Sequence, residues 1–234
     1  SILLIAWWLL SMVYPSYLVP SPAATLAILT REHNSFAHAA AYTTTNALIG
    51  ASLGVGLGVL TGSTLAYVRA ARWIAEPYLV IFQSFPREAL APLFIVWLGF
   101  GSPPKIAIAT LLCYFPMALV TLNTLAHPRS DYVELVRTWG ARRWQEFLYC
   151  RIPAATPTLV GMLRVCLPLA LVGAVLGEFI GGSAGLGYLV MSAGSVARLD
   201  RVFAAVLVLG VIGVTLLGAV NLLQQTVLAP FGKD

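Results

Sequence analysis

Charge is scarce in this chain. Only 10% of its 234 residues are Asp, Glu, Lys or Arg, whereas 59% are hydrophobic. A soluble domain carries about one quarter charged residues, so this composition excludes an ordinary soluble protein. Several apolar runs reach the ~20 residues that a helix needs to cross a bilayer. We therefore expect an all-α integral membrane protein, since the strands of a membrane barrel would alternate apolar and polar residues.

The sequence also lacks the residues of a catalytic or metal site. Cys113, Cys150 and Cys166 have no metal-binding spacing, and their odd number implies no disulfide framework. No histidine and no pair of aspartates lies inside a predicted span, so an intramembrane enzyme would lack its nucleophile and base, and no metal site is expected. There is no Walker A motif, so the chain is not expected to hydrolyse ATP itself.

The positive charge is better explained by membrane topology than by nucleic-acid binding. The net charge is +5, but no soluble basic domain is present to hold a nucleic acid. In membrane proteins Lys and Arg concentrate on cytoplasmic loops. With both termini in the cytoplasm, eight Lys and Arg residues lie inside and four outside. The inverted topology would reverse this bias, so we predict cytoplasmic termini.

Hydropathy predicts about six transmembrane helices in a single domain, 1–234. The chain begins within an apolar run, so we expect the first helix to be truncated. A polar stretch, 23–42, is predicted to lie outside the membrane. Pro116 is expected to break the fourth span, and Pro153 and Pro157 to precede the fifth. The predicted spans are 2–13, 43–68, 74–100, 105–125, 158–180 and 202–227.

Glycines recur at every fourth position of the second span. This spacing places small residues in one stripe, which lets a neighbouring helix approach closely where no hydrophobic force is available. A nucleotide-binding loop is excluded, because no Lys-Ser/Thr follows. We predict a helix-packing face formed by Gly50, Gly54, Gly58 and Gly62.

Charged residues at span depth are candidates for a translocation path or gate. Proline-interrupted spans with polar groups line the paths of transporters, and a charge at this depth must face protein or water. These residues either line the path or hold helices together, and two buried arginines favour an anionic solute. The candidates are the charged residues Arg87, Glu88, Arg164 and Glu178, together with Phe85 in the same proline-interrupted segment as Arg87.

The longest polar interval, 127–153, has the pattern of a shaped loop. Tyr132, Leu135, Val136 and Trp139 form one apolar helical face. Gly140 is expected to end that helix in a left-handed conformation, which only glycine adopts without steric cost. Its five arginines indicate the cytoplasm. On these features alone, an amphipathic hairpin resting on the membrane surface remains an alternative.

This interval resembles the EAA loop of type I ABC importer permeases. Glu134-Leu135-Val136 is followed by Gly140 after six residues and by Ile152-Pro153 after twelve to thirteen more, although Leu135 and Val136 replace two alanines. In that family the loop is the coupling helix, which sits in a groove of the ATPase. The coupling residues that the resemblance implies are Tyr132, Glu134, Leu135, Val136, Arg137, Trp139, Gly140, Ala141 and Arg142.

Other segments are similar to the branch of this family that serves sulfonates, nitrate, taurine and some vitamin precursors. They are Leu18–Pro22, Phe85–Leu93 with Trp97–Gly101, and Arg164 with Glu178 and Gly185–Gly187. The resemblance implies the MetI-like fold and a permease that imports a small anionic solute. A passive channel, a secondary carrier or, less readily, an intramembrane enzyme are the alternatives.

The same resemblance implies which partners the chain binds and in which membrane it lies. We expect two ATPase subunits that bind ATP and Mg²⁺, while the chain itself holds no cofactor. A second copy of the permease, a soluble or lipid-anchored substrate-binding protein and the lipid bilayer complete the set, without nucleic acid. The implied location is the bacterial inner membrane, crossed several times.

Overall fold

The computed structural model describes residues 2–15, 17–127, 138 and 140–228. Within these ranges the chain is helical and contains no strand. The helices are α1 (Ile2–Val13), α2 (Pro22–Arg31), α3 (His33–Tyr67), α4 (Arg69–Ser84), α5 (Ala91–Leu98), α6 (Ser102–Ala126), α7 (Arg143–Glu146), α8 (Ile152–Gly181), α9 (Leu186–Ser195) and α10 (Leu199–Leu228).

Only some of these helices are long enough to cross a membrane. In the described part of the chain, four helical segments are long and apolar enough to span a bilayer: His33–Tyr67, Ser102–Ala126, Arg143–Gly181 and Leu199–Gln225. Arg69–Ser84 and Arg87–Leu98, bent by 83° at their break, make a fifth if they count as one span. The twelve residues of α1 match the predicted first span but are fewer than the ~20 that cross a bilayer.

Helix α6 lies at the centre, and α3 packs along one side of it. A Cβ atom built on any of four α3 glycines would come within 2.4 to 2.8 Å of α6 atoms. Gly50 meets Ala109 and Gly62 meets Thr121, so the two helices run parallel. Such separations leave no room for a side chain, so the backbones are in direct contact. The four glycines are Gly50, Gly54, Gly58 and Gly62.

A second pair of glycines brings α8 close to α6. A Cβ atom on Gly173 would lie 2.7 Å from Ala109 Cα, and one on Gly177 would lie 2.8 Å from Lys105 Cγ. The order is reversed, so α8 is antiparallel to α6. Close backbone contact maximises van der Waals attraction between helices in lipid. α3, α6 and α8 therefore form the packed core of the bundle.

The third predicted span is interrupted, as its prolines indicate. α4 ends at Ser84, a short 3₁₀ helix occupies Arg87–Leu90, and α5 follows. Pro86 has no N–H to continue the α4 hydrogen-bond pattern, and the residue before a proline is driven to an extended conformation. Phe85 has that conformation, with φ −75° and ψ 139°.

The stretch 23–42, which is predicted to lie outside the membrane, is helical: Ser21 caps α2 through its side chain, Pro22 occupies the first turn, and α3 begins at His33. Two expectations about prolines were wrong. Pro116 does not break α6, because the buried proline is held between neighbouring helices that stabilise the local loss of a hydrogen bond. Pro153 lies in the first turn of α8 and Pro157 inside it, so neither precedes the helix.

A charged cluster ties the α2–α3 corner to the start of α10. Glu32 forms ion pairs with Arg201 and, at 3.8 Å, with Arg198. Arg198 also binds Asp200 at 2.8 Å, and this hydrogen bond raises the pKa of the Arg198 guanidinium. The cluster fixes α10 to the end of the bundle at which α3 begins.

Candidate functional site

The predicted coupling loop is only partly within the described residues. Its remaining members have well-defined geometry. Gly140 has φ +78°, the left-handed conformation that the sequence predicts, and open space surrounds the position of a Cβ atom. Ala141 follows it, and the Arg142 N–H donates to Gln145 Oε1 at 2.8 Å. The predicted residues outside the described part are Tyr132, Glu134, Leu135, Val136, Arg137 and Trp139.

The last part of this loop, residues 143–151, leads into α8 and is anchored on α6; we call it the arm. Arg151 binds the buried carboxylate of Glu146 at 2.6 Å and donates to the Leu125 carbonyl oxygen at 2.8 Å. Ring packing between Tyr67 and Phe147, with centroids 5.3 Å apart, joins the same arm to the end of α3. These contacts join the arm to α6 and α3, two helices of the packed core.

Arg87 lies at the break between α4 and α5, against the ring of Phe115. Its guanidinium carbon lies 5.8 Å from the centre of the Phe115 ring. Its Nε and Nη1 atoms are buried and form no hydrogen bond with the described residues. Phe85 and Glu88 on either side are exposed. The arginine thus lies on an aromatic face, and two of its nitrogens have no acceptor among the described residues.

Arg164 is an exposed arginine near the middle of α8. Among the described residues, it has no hydrogen-bond or ion-pair partner, and Val165 beside it is exposed as well. A charged side chain at the centre of a bilayer costs roughly 2.5–3.5 kcal/mol on insertion scales. An exposed arginine on a membrane helix avoids that cost by facing water or protein, or by extending its stem to the interface.

Glu178 has a different environment from the two arginines. Its side chain is 1% exposed and accepts hydrogen bonds from the Thr43 hydroxyl at 2.9 Å and from the Gly187 N–H at 2.8 Å. Thr43 Oγ1 in turn accepts from the Leu186 N–H at 2.8 Å. A Cβ atom on Gly185 would fall 2.2 Å from the carboxylate, so only glycine fits there. We call these residues the Glu178 network.

The Glu178 network supplies the N-terminal cap of α9. Gly185 precedes that helix and has no side chain to satisfy its first N–H groups. Side chains from α3 and α8 accept those hydrogen bonds instead, and a carboxylate at this position also complements the helix dipole. Three helices are thereby locked together by one buried polar group.

Lys105 is a buried cation that sequence reasoning placed on the outer side. It is 0% exposed, and its Nζ donates to the Gly101 carbonyl oxygen at 2.6 Å and to the Tyr42 hydroxyl at 3.3 Å. Ser102 donates to the same hydroxyl at 3.1 Å. In the sequence, Gly101–Lys105 has the pattern of a polar turn. The structure shows that Lys105 is enclosed, because α3 places Tyr42 beside it.

Comparisons with known proteins agree with this architecture. The model of the family described as binding-protein-dependent transport system inner membrane component matches residues 54–229. The chain is 32% identical to the formylaminopyrimidine transport permease protein ThiX of Halalkalibacterium halodurans, over 99% of this chain and 94% of that protein. It is 26% identical to the taurine transport system permease protein TauC of Escherichia coli, over 96% and 85%.

The fold comparison agrees with the predicted MetI-like architecture. A chain of the inward-facing MetNI methionine ABC transporter superposes with a TM-score of 0.74 at 19% identity, covering 84% of this chain and 98% of that one. The fold predicted from the sequence is thus confirmed. The chain belongs to the family of binding-protein-dependent transport system inner membrane components, and it is a multi-pass permease subunit of an ABC importer, whose ATPase activity lies in a separate subunit.

Proposed function

We propose that residues 1–234 form a single permease domain and provide half of a translocation path for a small anionic solute such as a sulfonate, taurine or nitrate. Two copies would enclose the path, since the described helices leave the charged Arg164 uncovered. The name of one relative refers to taurine, which carries a sulfonate. A substrate-binding protein would deliver the solute to the side opposite the ATPases.

The observation that carries this proposal is the exposed arginine in the middle of α8. Lipid cannot cover a charge there at low cost, whereas a water-filled path can. Arg87 supports the same reading, because its guanidinium is held by Phe115 but leaves two nitrogens without acceptors among the described residues. A guanidinium presents a planar set of donors that suits sulfonate or carboxylate oxygens.

A charge-neutral substitution tests the path. Arg164→Gln in the complete complex, with its binding protein, should slow uptake of taurine or a short alkanesulfonate by roughly tenfold, about 1.4 kcal/mol of barrier. The neighbouring Val165→Gln adds a polar amide at an exposed position without removing a charge and serves as the matched control. Uptake by Arg164→Gln equal to that of the native complex would remove Arg164 from the path.

We propose that the loop 127–153 couples the permease to ATP hydrolysis. In this proposal, the fit of the loop in the ATPase groove depends on the direction that the chain takes at Gly140. The left-handed φ of Gly140 sets that direction, and the Arg151 contacts with Glu146 and Leu125 connect the loop to α6. ATP and Mg²⁺ would bind only in the partner, and the loop would lie in the cytoplasm with both termini.

Gly140 offers a sharp test because Gly99 provides a matched control. Both glycines have a positive φ, +78° and +76°, and both have open space at the Cβ position. Alanine is strained at both sites, and Gly99, with ψ −169°, has a conformation that almost only glycine adopts, so the control variant is a demanding one. Gly140→Ala should weaken co-purification of the ATPase and its transport-coupled hydrolysis, whereas Gly99→Ala should not. Equal behaviour of the two variants would contradict the coupling role.

We propose that Glu178 acts as a structural gate element and does not contact the solute. Its carboxylate is enclosed and engaged by Thr43 and Gly187. Opening the adjacent end of the path would require α9 to move with α3 and α8, or would break this network. Uptake by Glu178→Gln with a changed solute preference but unchanged α9 protection would contradict this assignment.

A further inference from the structure

A basic pocket lies where α3 ends, α4 begins and the arm meets the end of α6. Its volume of about 370 Å³ is within the roughly 300–1,000 Å³ of ligand-binding pockets. Two arginines from α4 and two from the arm contribute to its wall, together with the histidine that follows α6. These residues are Arg69, Arg72, Arg143, Arg151 and His127.

The positive charge of this pocket is only partly neutralised. The Glu146 carboxylate is buried and binds Arg151 at 2.6 Å, so these two side chains form an ion pair. Arg69, Arg72 and Arg143 have neither a hydrogen-bond nor an ion-pair partner in the described part of the chain. A guanidinium presents a planar set of donors that matches the oxygens of a phosphate. Three such groups around one cavity therefore offer donors to a bound anion.

The helix ends at the pocket add to this positive charge. α4 begins at Arg69, and the preceding residue, Val68, provides no side-chain cap for its first N–H groups. Uncapped N–H groups and the positive end of a helix dipole attract an anion. The negative end of α6 lies at the same pocket, but Arg151 donates to the Leu125 carbonyl oxygen there at 2.8 Å. The positive contributions thus exceed the negative ones.

Aromatic side chains indicate that the pocket lies at the depth of the lipid headgroups. Trp73 follows Arg72 and is 72% exposed, and Trp144 follows Arg143 and is also exposed. The ring of the exposed Tyr149 lies 6.2 Å from that of Trp144, between centroids. Exposed Trp and Tyr concentrate at the membrane–water interface. Basic pockets between transmembrane helices on the cytoplasmic side, where this loop is proposed to lie, bind the headgroups of anionic lipids.

We propose that this pocket binds a phosphate group, which accepts hydrogen bonds from the guanidinium groups of Arg69, Arg72 and Arg143. An anionic phospholipid and free inorganic phosphate both carry this group, and the interfacial depth of the pocket favours the lipid. The bound group connects the start of α4 to the arm, two segments that otherwise contribute arginines of the same sign. The site requires neither the proposed coupling nor an anionic solute, and its tests measure no transport.

Modification of arginines in the native permease–ATPase complex tests this proposal without a variant. The complex is washed in a maltoside detergent, which carries no phosphate, and treated with phenylglyoxal, and mass spectrometry measures the reaction at each arginine. Phosphatidylglycerol in the micelles should slow the reaction of Arg69, Arg72 and Arg143 several-fold, relative to diacylglycerol, which lacks the phosphate. The exposed Arg31, at the end of α2, should react equally in both.

Inorganic phosphate, added to the micelles in place of the lipid, separates the two sources of the group. Chloride at equal ionic strength is the reference. Protection by phosphatidylglycerol alone would assign the site to a lipid headgroup, and protection by inorganic phosphate would assign it to the free anion. Unchanged reaction of the three arginines under both conditions would overturn the proposal, as would arginines that never react because the ATPase covers them.

A double variant shows whether the arginines share one ligand. Arg69→Gln with Arg72→Gln leaves Arg143 in place and removes two of its three proposed partners in binding, so the protection of Arg143 should fall several-fold. Arg31→Gln also removes an exposed arginine, but one outside the pocket, and should keep that protection. Undiminished protection of Arg143 in the double variant would overturn the shared site.

Discussion

The packed core of α3, α6 and α8 contrasts with the broken span of α4 and α5. In the core, glycines bring backbones into contact, and a Cβ atom at any of six positions would fall within 2.8 Å of a neighbouring helix. In the broken span, large side chains such as Tyr78, Ile81 and Phe82 are more than half exposed, and the two helices meet at 83°. One region has no spare volume, whereas the other is largely unpacked.

This difference separates the part of the molecule that keeps its shape from the part that has freedom to move. Close-packed interfaces switch between discrete arrangements and do not deform gradually. We therefore expect α3, α6 and α8 to move as one body during transport, with α4 and α5 changing position relative to them. Substitutions in the core should affect stability, and substitutions in the broken span should affect transport.

The largest effect is expected from a side chain placed inside the core. Gly54→Leu puts a Cβ atom 2.5 Å from the Thr110 carbonyl oxygen and 2.7 Å from Cys113 Cβ, so α3 must separate from α6. Overpacking typically costs about 1–3 kcal/mol, and backbone contact puts this site at or above that range. Gly56→Leu on the same helix meets open space and is the control. Thermal unfolding of the detergent-solubilised complex measures both, and equal midpoints would contradict close packing.

Loss of the Glu178 network should have the next largest effect. Glu178→Ala removes the acceptor of the Gly187 N–H, and a buried donor left without an acceptor costs about 1–3 kcal/mol. Hydrogen exchange of the amides at the start of α9 should accelerate. Thr43→Ser retains the hydroxyl and should leave exchange unchanged. Slow exchange in Glu178→Ala would show that α9 is held by other contacts.

Substitution of Arg87 should decrease transport much more than stability. Arg87→Leu removes the interaction with the Phe115 ring, which contributes about 0.5–2 kcal/mol, and leaves no hydrogen-bond acceptor unsatisfied in the described part. We expect a small decrease in the unfolding midpoint and a large loss of uptake. Phe115→Leu removes the same interaction but keeps the charge, so it is the control. Equal uptake by the two variants would place Arg87 among the structural residues.

The smallest effect on stability is expected at Phe85. Its ring is 52% exposed at the end of α4, and substitution of such a surface residue changes stability by about 0.5 kcal/mol or less. Phe85→Ala should therefore unfold at the native temperature. Uptake measured beside Phe100→Ala, another exposed aromatic residue, tests whether the ring takes part in transport. A decrease of several degrees in the unfolding midpoint would contradict the picture of an unpacked span.

Local chemistry predicted much of this structure. Pro86 and its extended neighbour Phe85 indicate the break in the third span, and the left-handed Gly140 follows from its position after an amphipathic run. The family fold follows from the spacing of the EAA-like loop and from three further segments. Each of these signals lies within a few tens of residues along the chain.

Contacts between distant segments were not predictable in this way. Thr43 is 135 residues from Glu178, and no periodicity indicates that it would accept the Leu186 N–H. The glycine repeat on α3 indicates a close neighbour without identifying α6. The polar side chains of 23–42 led to the prediction of a stretch outside the membrane and did not indicate that α3 begins as early as His33, where alanines favour helix.

The length of α3 has a consequence for whatever approaches the transporter from the aqueous side. Gly50 lies beside Ala109, so about ten residues of α3 precede the level at which α6 starts. They raise a ridge roughly 15 Å high, braced by α2 and the Glu32 ion pairs. The substrate-binding protein proposed above, docking at this end of the permease, would meet this ridge before it reaches the first turn of α6.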